Sequence, residues 1–355
     1  MARLFGEPTK TVFSTKKETT FGVAHVLATS AAYHITHEND PLAPKTGNII
    51  TDAGEYSNSV FLSEYTVERY DIDFTHVRRL QPHDFALFMS LLLGSTTPTQ
   101  QGGTTAWKHR MLPDNTTLDL LSVTMWQETP VYTDLVWPGI CCGGVTLDLE
   151  RGSIPKLSAD LLGIGSGAAG VDIAASAKTG ETWLYHGDVD ILLGGTYTKA
   201  TGTVASGVSI ASTVRSAQFR AINNAERLHS LGGTNAIIKG DLKALGVNEF
   251  SMTFEPAAAT YLTYLTAGTE TVLEIKIVGE QIGATGYYYT VGVIFPRARV
   301  TEVSRVGKEG SVQVAELTIE GLKDVDATRI GAGTDWPAID AYAINQVTEY
   351  LGAVA

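Results

Sequence analysis

Along most of the chain, apolar and polar residues alternate one for one. Tyr70, Ile72 and Phe74 interleave with Asp71, Asp73 and Thr75; Val145, Leu147 and Leu149 with Thr146, Asp148 and Glu150. Leu157, Ala159 and Leu161 interleave with Ser158 and Asp160, and Phe250, Met252 and Phe254 with Ser251 and Thr253. Leu273, Ile275 and Ile277 flank Glu274 and Lys276 in the same way. Successive side chains of an extended chain point to opposite faces, so this period of two marks strands with one dry and one wet face. The pattern predicts a mainly β protein built from antiparallel strands.

Three stretches break the rhythm. Pro82 to Leu93 and Pro256 to Ala267 each open on a proline suited to a first helical turn and stop at a glycine, Gly94 or Gly268. Both predict helices. From Pro337 to Gly352 the residues Ile339, Tyr342, Val347, Tyr350 and Leu351 fall mostly on one helical face, which predicts an amphipathic C-terminal helix or arm within residues 331–355. Its apolar stripe needs cover, from its own domain or from a second subunit. The turn-rich stretch Thr36 to Ser59, with Asn39, Pro41 and Pro44, is long for a loop in a compact domain. It too is expected to touch a neighbouring subunit.

The order of these elements repeats. The first half runs YDIDF, a proline-started helix, LLSVTMW, YTDLVWPGICCGGVTLDLERG and PKLSADLLG. The second runs FSMTF, a proline-started helix, VLEIKIVG, YYTVGVIFPRARVTEVSRVG and VAELTIEGL. Low residue identity but matching order predicts a tandem duplication. The expected domains are 1–165 and 181–330, joined by a Gly/Ala/Ser-rich linker at 166–180 and followed by the C-terminal segment.

Charge narrows the function. Against 26 Lys and Arg stand 38 Asp and Glu, a formal charge of −12. Proteins that grip nucleic acid neutralise phosphates with basic residues, so this balance argues against a DNA reader. It suits a surface that DNA passes without adhering. The two cysteines, Cys141 and Cys142, are adjacent, a poor geometry for a mutual disulfide, and are expected to be buried and inert. The first residues lack the apolar core of a signal peptide, and no apolar run approaches the roughly 20 residues of a membrane span. The expectation is a chain assembled in a reducing cytoplasm without a membrane partner.

Candidate chemistry is thin. His34, His37 and Glu38 hint at a metal pair, but the stretch ends in a turn and no second pair of ligands follows. Gly163 to Gly170 resembles a phosphate loop but lacks the Lys-Ser/Thr pair and the strand–helix context. No nucleophile–base arrangement stands out. No enzyme activity, catalytic residue, cofactor or metal is expected.

The N-terminal extended segment Thr19-Thr20-Phe21-Gly22, the strand–helix–strand unit, and the hairpin from Gly144–Gly152 to Ile154–Gly163 resemble the tail tube (major tail) proteins of long-tailed bacteriophages. The likeness runs from about Phe21 to Gly321 as a pattern of elements. It implies two tail-tube-like β-sandwich domains, each with a flanking α-helix, contributing strands to a ring-closed β-barrel. It further implies homotrimeric rings of pseudo-sixfold symmetry, alternatively hexameric ones, stacked into a tube in the virion tail. The tube would enclose a tape measure protein before ejection, meet tail terminator and tail tip proteins at its ends, and conduct DNA without sequence-specific binding. On that reading Asp71, Asp73, Asp148, Asp160, Glu274 and Glu320 face the lumen. Asn39, Pro41, Pro44, Ile339, Tyr342, Val347, Tyr350 and Leu351 lie between subunits. Rival readings are a tail terminator or sheath-like component, and a carbohydrate-binding β-sandwich, which would want a signal peptide and disulfides. An outer-membrane barrel fits poorly with internal helices and no aromatic girdles.

Overall fold

The computed structural model describes residues 10–25, 32–36, 45–51, 65–94, 96–113, 120–128, 135–164, 168–169, 183–223, 225–228, 237–239, 247–254, 267–309, 312–323 and 336–352. Strand accounts for 59% of the structure, more than twice the share usual in globular proteins. The protein is mainly β, its large sheet is antiparallel, and no closed barrel is found among the described residues.

In the first half the strands are β1 (Lys10–Ser14), β2 (Ala32–Thr36), β3 (Lys45–Thr51), β4 (Tyr65–Arg79), β5 (Thr97–Gln100), β6 (Trp107–Met111), β7 (Val123–Glu128), β8 (Leu135–Glu150), β9 (Lys156–Ile164) and β10 (Ala168–Ala169). Helix α1 (Pro82–Leu93) follows β4. The second half carries β11 (Val189–Leu193), β12 (Thr196–Thr198), β13 (Thr203–Ala205), β14 (Val208–Ser209), β15 (Val214–Ile222), β16 (Glu226–Leu228), β17 (Ile237–Lys239), β18 (Val247–Phe254), β19 (Glu270–Gln281), β20 (Tyr288–Glu309), β21 (Val312–Gly321) and β22 (Asp340–Asn345).

The sequence echo reappears as pairing. In the first half β4 pairs with β9, β9 with β8, β8 with β7, β7 with β1, and β1 with β2. In the second half β18 pairs with β21, β21 with β20, β20 with β19, β19 with β11, and β11 with β14. The outermost strand in each set is β3 on β4 and β15 on β18. The sets join where β15 lies along β8 from Ser216↔Glu150 to Ile222↔Gly144. One sheet therefore runs β3-β4-β9-β8-β15-β18-β21-β20.

Strand β8 serves two sheets, and β20 changes partners along its length, from β19 and β22 to β21. The first part of β8 pairs with β7 and the last part with β9 and β15, with an irregular register between Cys142 and Gly144. Gly139, at φ 68°, takes a backbone conformation that a side chain would strain. Its N–H donates to the Glu18 carboxylate (3.0 Å). The same carboxylate also accepts from the Ser122 and Thr124 hydroxyls (2.7 and 2.8 Å). That buried acid ties the turn after β1 to the bend.

Helix α1 starts and stops where its proline and glycine predict, with Gly94 at φ 80° and its N–H donated to the Ser90 carbonyl (2.9 Å). It does not flank the sheet as an amphipathic helix would: every residue from Pro82 to Leu93 is buried. It packs against β8, β22, β6 and β20. Fully burying side chains such as Phe85 and Leu91 contributes roughly 1.5–3 kcal/mol each. Its Asp84 carboxylate is stabilised in the interior by the Arg78 guanidinium at 3.2 Å. Apart from Ala267, the helix expected at Pro256 to Ala267 lies outside the described residues.

The C-terminal helix is a correction. Asp340–Asn345 is a strand, β22, inserted between β20 and β6, pairing Ala341–Ala343 with Gly292 and its neighbours on one side and with His109–Met111 on the other. A slot with two ladders of backbone donors and acceptors outweighs the weak helical preference of this short segment. Bends follow, and Leu351 at φ 55° turns the chain so that its N–H meets the Thr15 carbonyl (2.6 Å).

Candidate functional site

The long sheet has one apolar and one polar face. Ile72, His76 and Arg78 of β4, Leu157, Ala159 and Leu161 of β9, Ala217, Phe219 and Ala221 of β15, and Phe250 and Met252 of β18 point inward and are buried. The residues between them form rows across the sheet, because antiparallel register sets outward positions opposite one another. One row reads Arg79, Lys156, Asp148, Gln218, Ser251, Thr318. The next reads Val77, Ser158, Thr146, Arg220, Glu249, Glu320, Arg299. A third runs Glu150, Ser216, Thr253, Glu316.

Acidic groups outnumber basic ones here: Asp73, Asp148, Glu150, Asp160, Glu249, Glu316 and Glu320 against Arg79, Lys156, Arg220 and Arg299. Two of the acids are held by neutral neighbours. The Thr75 hydroxyl donates to Asp160 and the Gln218 amide to Asp148, each at 2.7 Å. These bonds orient the carboxylates without neutralising them.

Asp73, Asp148, Asp160 and Glu320 thus share one face, though they are far apart in sequence. Asp71 sits where β4 meets both Lys45 of β3 and Ile164 of β9. Glu274 does not belong with them. It is 5% exposed on β19 and accepts a 2.7 Å hydrogen bond from the Tyr342 hydroxyl. Burial raises its carboxyl above the ordinary range, against the opposing effect of that bond. The alternation around Glu274 was sound; the assumption of a wet face was not, because Tyr342 and the β12–β13 hairpin cover that side.

The residues expected between subunits also need correction. Ile339, Tyr342, Tyr350 and Leu351 are 0%, 5%, 1% and 6% exposed within their own chain, and Val347 packs on the same core. Their apolar surface is already covered. Asn39, Pro41 and Pro44 lie outside the described residues, as do His37 and Glu38, while His34 pairs with Val12 in the β1–β2 ladder.

Sequence reasoning missed β15, whose Ser216, Gln218 and Arg220 complete the polar rows. Its alternation with Ala217, Phe219 and Ala221 was available as a signal. It also missed a buried polar cluster that fixes β22. Arg110 Nε and Nη2 donate to the Asp340 carboxylate (3.0 and 2.7 Å), and the Tyr197 hydroxyl donates to it as well (2.7 Å). No local pattern announces partners separated by 230 and 143 residues.

No catalytic constellation emerges among the described residues. A cleft of about 390 Å³ beside the β8–β15 seam is lined by Glu150, Arg151, His186 and Ser212 among others, all four exposed. Both cysteines are buried and neither is in a disulfide, and burial pushes the Cys142 thiol well above its ordinary value. No group of three metal-ligating side chains occurs among the described residues, and no described helix is long and apolar enough to cross a membrane. No protein-family model matches the chain, and no curated protein shows significant similarity to it.

Proposed function

We propose that the protein is a structural subunit that assembles edge to edge into rings of three copies, stacked into the tube of a bacteriophage tail. One observation carries this reading: the chain contains its own example of the joint. Its two topologically alike halves, taken as duplicated domains, meet by laying β15 of one along the last part of β8 of the other. Strand β20 is the counterpart of β8, and from Val300 to Glu309 it pairs with β21 alone among the described residues. Strand β3 holds in the first half the place that β15 holds in the second. Repeating the internal joint sets β20 of one copy beside the β3 side of the next. Ring closure removes an edge that would otherwise invite uncontrolled pairing. Three copies then present six like units around the axis.

In that ring the acidic polar face of the long sheet lines the bore. Repulsion between carboxylates and phosphates keeps passing DNA from adhering. The protein is a conduit, without catalysis or a cofactor.

A charge pointing inward at a sheet edge blocks pairing at small cost to the monomer. Val303 is partly buried against the core near the open edge of β20. Val303→Lys is expected to leave a folded monomer while abolishing the ring species in sedimentation velocity. Rings of undiminished abundance in a folded Val303→Lys variant would remove β20 from the joint.

A further inference from the structure

Among the described residues two strand ladders join the halves: the β8–β15 seam, and the pairing of β22, inserted beside β20, with β6. The second is fastened by a buried polar cluster beyond the strand. The Tyr350 hydroxyl oxygen accepts from Asn345 Nδ2 (2.8 Å) and lies in hydrogen-bond contact with His83 Nδ1 on α1. With the neutral His83 proton assigned to Nε2, Nδ1 accepts the phenol's own hydrogen while the phenol oxygen accepts from Asn345. On β6, His109 Nε2 donates to the Val347 carbonyl (2.7 Å), and its ring meets that of Tyr350 edge-on at 4.7 Å. Both histidines are essentially inaccessible, at 1% and 0% exposure.

We propose that the segment Asp340–Gly352 is an acid-released clasp, with His83 and His109 as its proton sensors. Protonating His83 at Nδ1 turns the acceptor into a donor and leaves the Tyr350 hydrogen facing another hydrogen. It also sets a positive charge in a closed space near Arg78 of β4, whose guanidinium already engages Asp84 of α1. A proton on His109 adds a further positive charge to the same interior. The other titratable and charged groups at the clasp are Asp340, bonded to Arg110 and Tyr197, Glu274 of β19, which accepts from Tyr342, and the Lys16–Glu349 pair (3.9 Å). The Tyr289 hydroxyl of β20 is bonded to Gln346 (2.9 Å). Burial raises the Glu274 carboxyl, so it acts against the histidines as pH falls.

The direction of the pH effect follows. Burial, with the Arg78 and His109 charges adding to it, holds His83 down to about 3. Burial lowers His109 to about 4 against the pull of its bond to Val347. The clasped form therefore binds fewer protons than the open form below the ordinary histidine value of about 6.5. Clasping is complete above that value and is lost as pH falls toward the lowered ones. Each histidine raises the opening constant by up to about tenfold per pH unit in that window. Release frees the edges of β20 and β6 that β22 occupies.

Hydrogen exchange on the full chain, corrected for the intrinsic pH dependence of exchange, tests this. Between pH 6.5 and 4.5 protection at residues 341–350 is expected to fall at least about a hundredfold, while amides of β8 and β9 hold. In a His83→Gln/His109→Gln variant, glutamine still accepts from Tyr350 and donates to Val347 but does not titrate, so the profile flattens. A wild-type segment whose protection tracks that of β8 and β9 down to pH 4.5 would overturn the proposal. So would a folded double variant that opens as the wild type does. Should the double variant not fold, the wild-type profile decides the matter alone.

Discussion

At the residue scale, the proposed role rests on the carboxylates of the polar face. Asp148 and Asp160 are held in place by Gln218 and Thr75, and their charge stays on the polar face. Replacing Asp148, Asp160 and Glu320 together by lysine leaves four acidic against seven basic groups among those named on that face. The hydrogen bonds forfeited are worth about 0.5–1.5 kcal/mol each, so the fold is expected to survive. The wild type is expected not to bind short duplex DNA at about 50 mM salt, whereas the triple variant binds it and releases it as salt rises. Fluorescence anisotropy reads both. Tight binding by the wild type would contradict the role given to the acidic face.

The residue scale also shows where sequence reading failed. The alternation that places Asp148 and Asp160 on a wet face is local and was legible. Glu274 alternates just as cleanly, but whether the face opposite the core stays wet depends on what folds over it. There the cover is Tyr342, 68 residues away, and a hairpin inserted between β11 and β14. Burial on both faces is a tertiary fact that a period of two does not reveal.

At the element scale, α1 and the strands of the echoed units, β4, β7 to β9 and β18 to β21, were readable because their signals are local: alternation, a proline at the start, a glycine at the end. The C-terminal segment was not. Ile339, Tyr342, Val347, Tyr350 and Leu351 follow a helical spacing by coincidence, since strand and bends here are buried on every side. What fixes β22 as a strand is the slot between β20 and β6 and the charge cluster at its first residue. Asp340 is fully buried and bonded to Arg110 and Tyr197. Asp340→Ala leaves a half-buried guanidinium and a phenol without their acceptor. The expected cost is about 3–5 kcal/mol, read as a lowered urea midpoint. A loss under about 1 kcal/mol would mean that the backbone ladders alone hold β22.

At the scale of the whole molecule, two halves with the same pairing order meet at a strand seam, and the proposed ring repeats that seam between copies, with β20 and β3 in the places of β8 and β15. The order of elements that the two pairing sets share was legible, because each strand signature is local. The seam was not, because pairing between Gly144–Glu150 and Ser216–Ile222 leaves no mark in either segment. Assembly is the central claim, and electron microscopy of the concentrated, purified protein tests it most directly. The expected images are hollow rings with a sixfold outline and the mass of three chains, stacking into tubes of uniform width. A protein that stays monomeric at high concentration, or that forms only solid, irregular fibrils, would contradict the account.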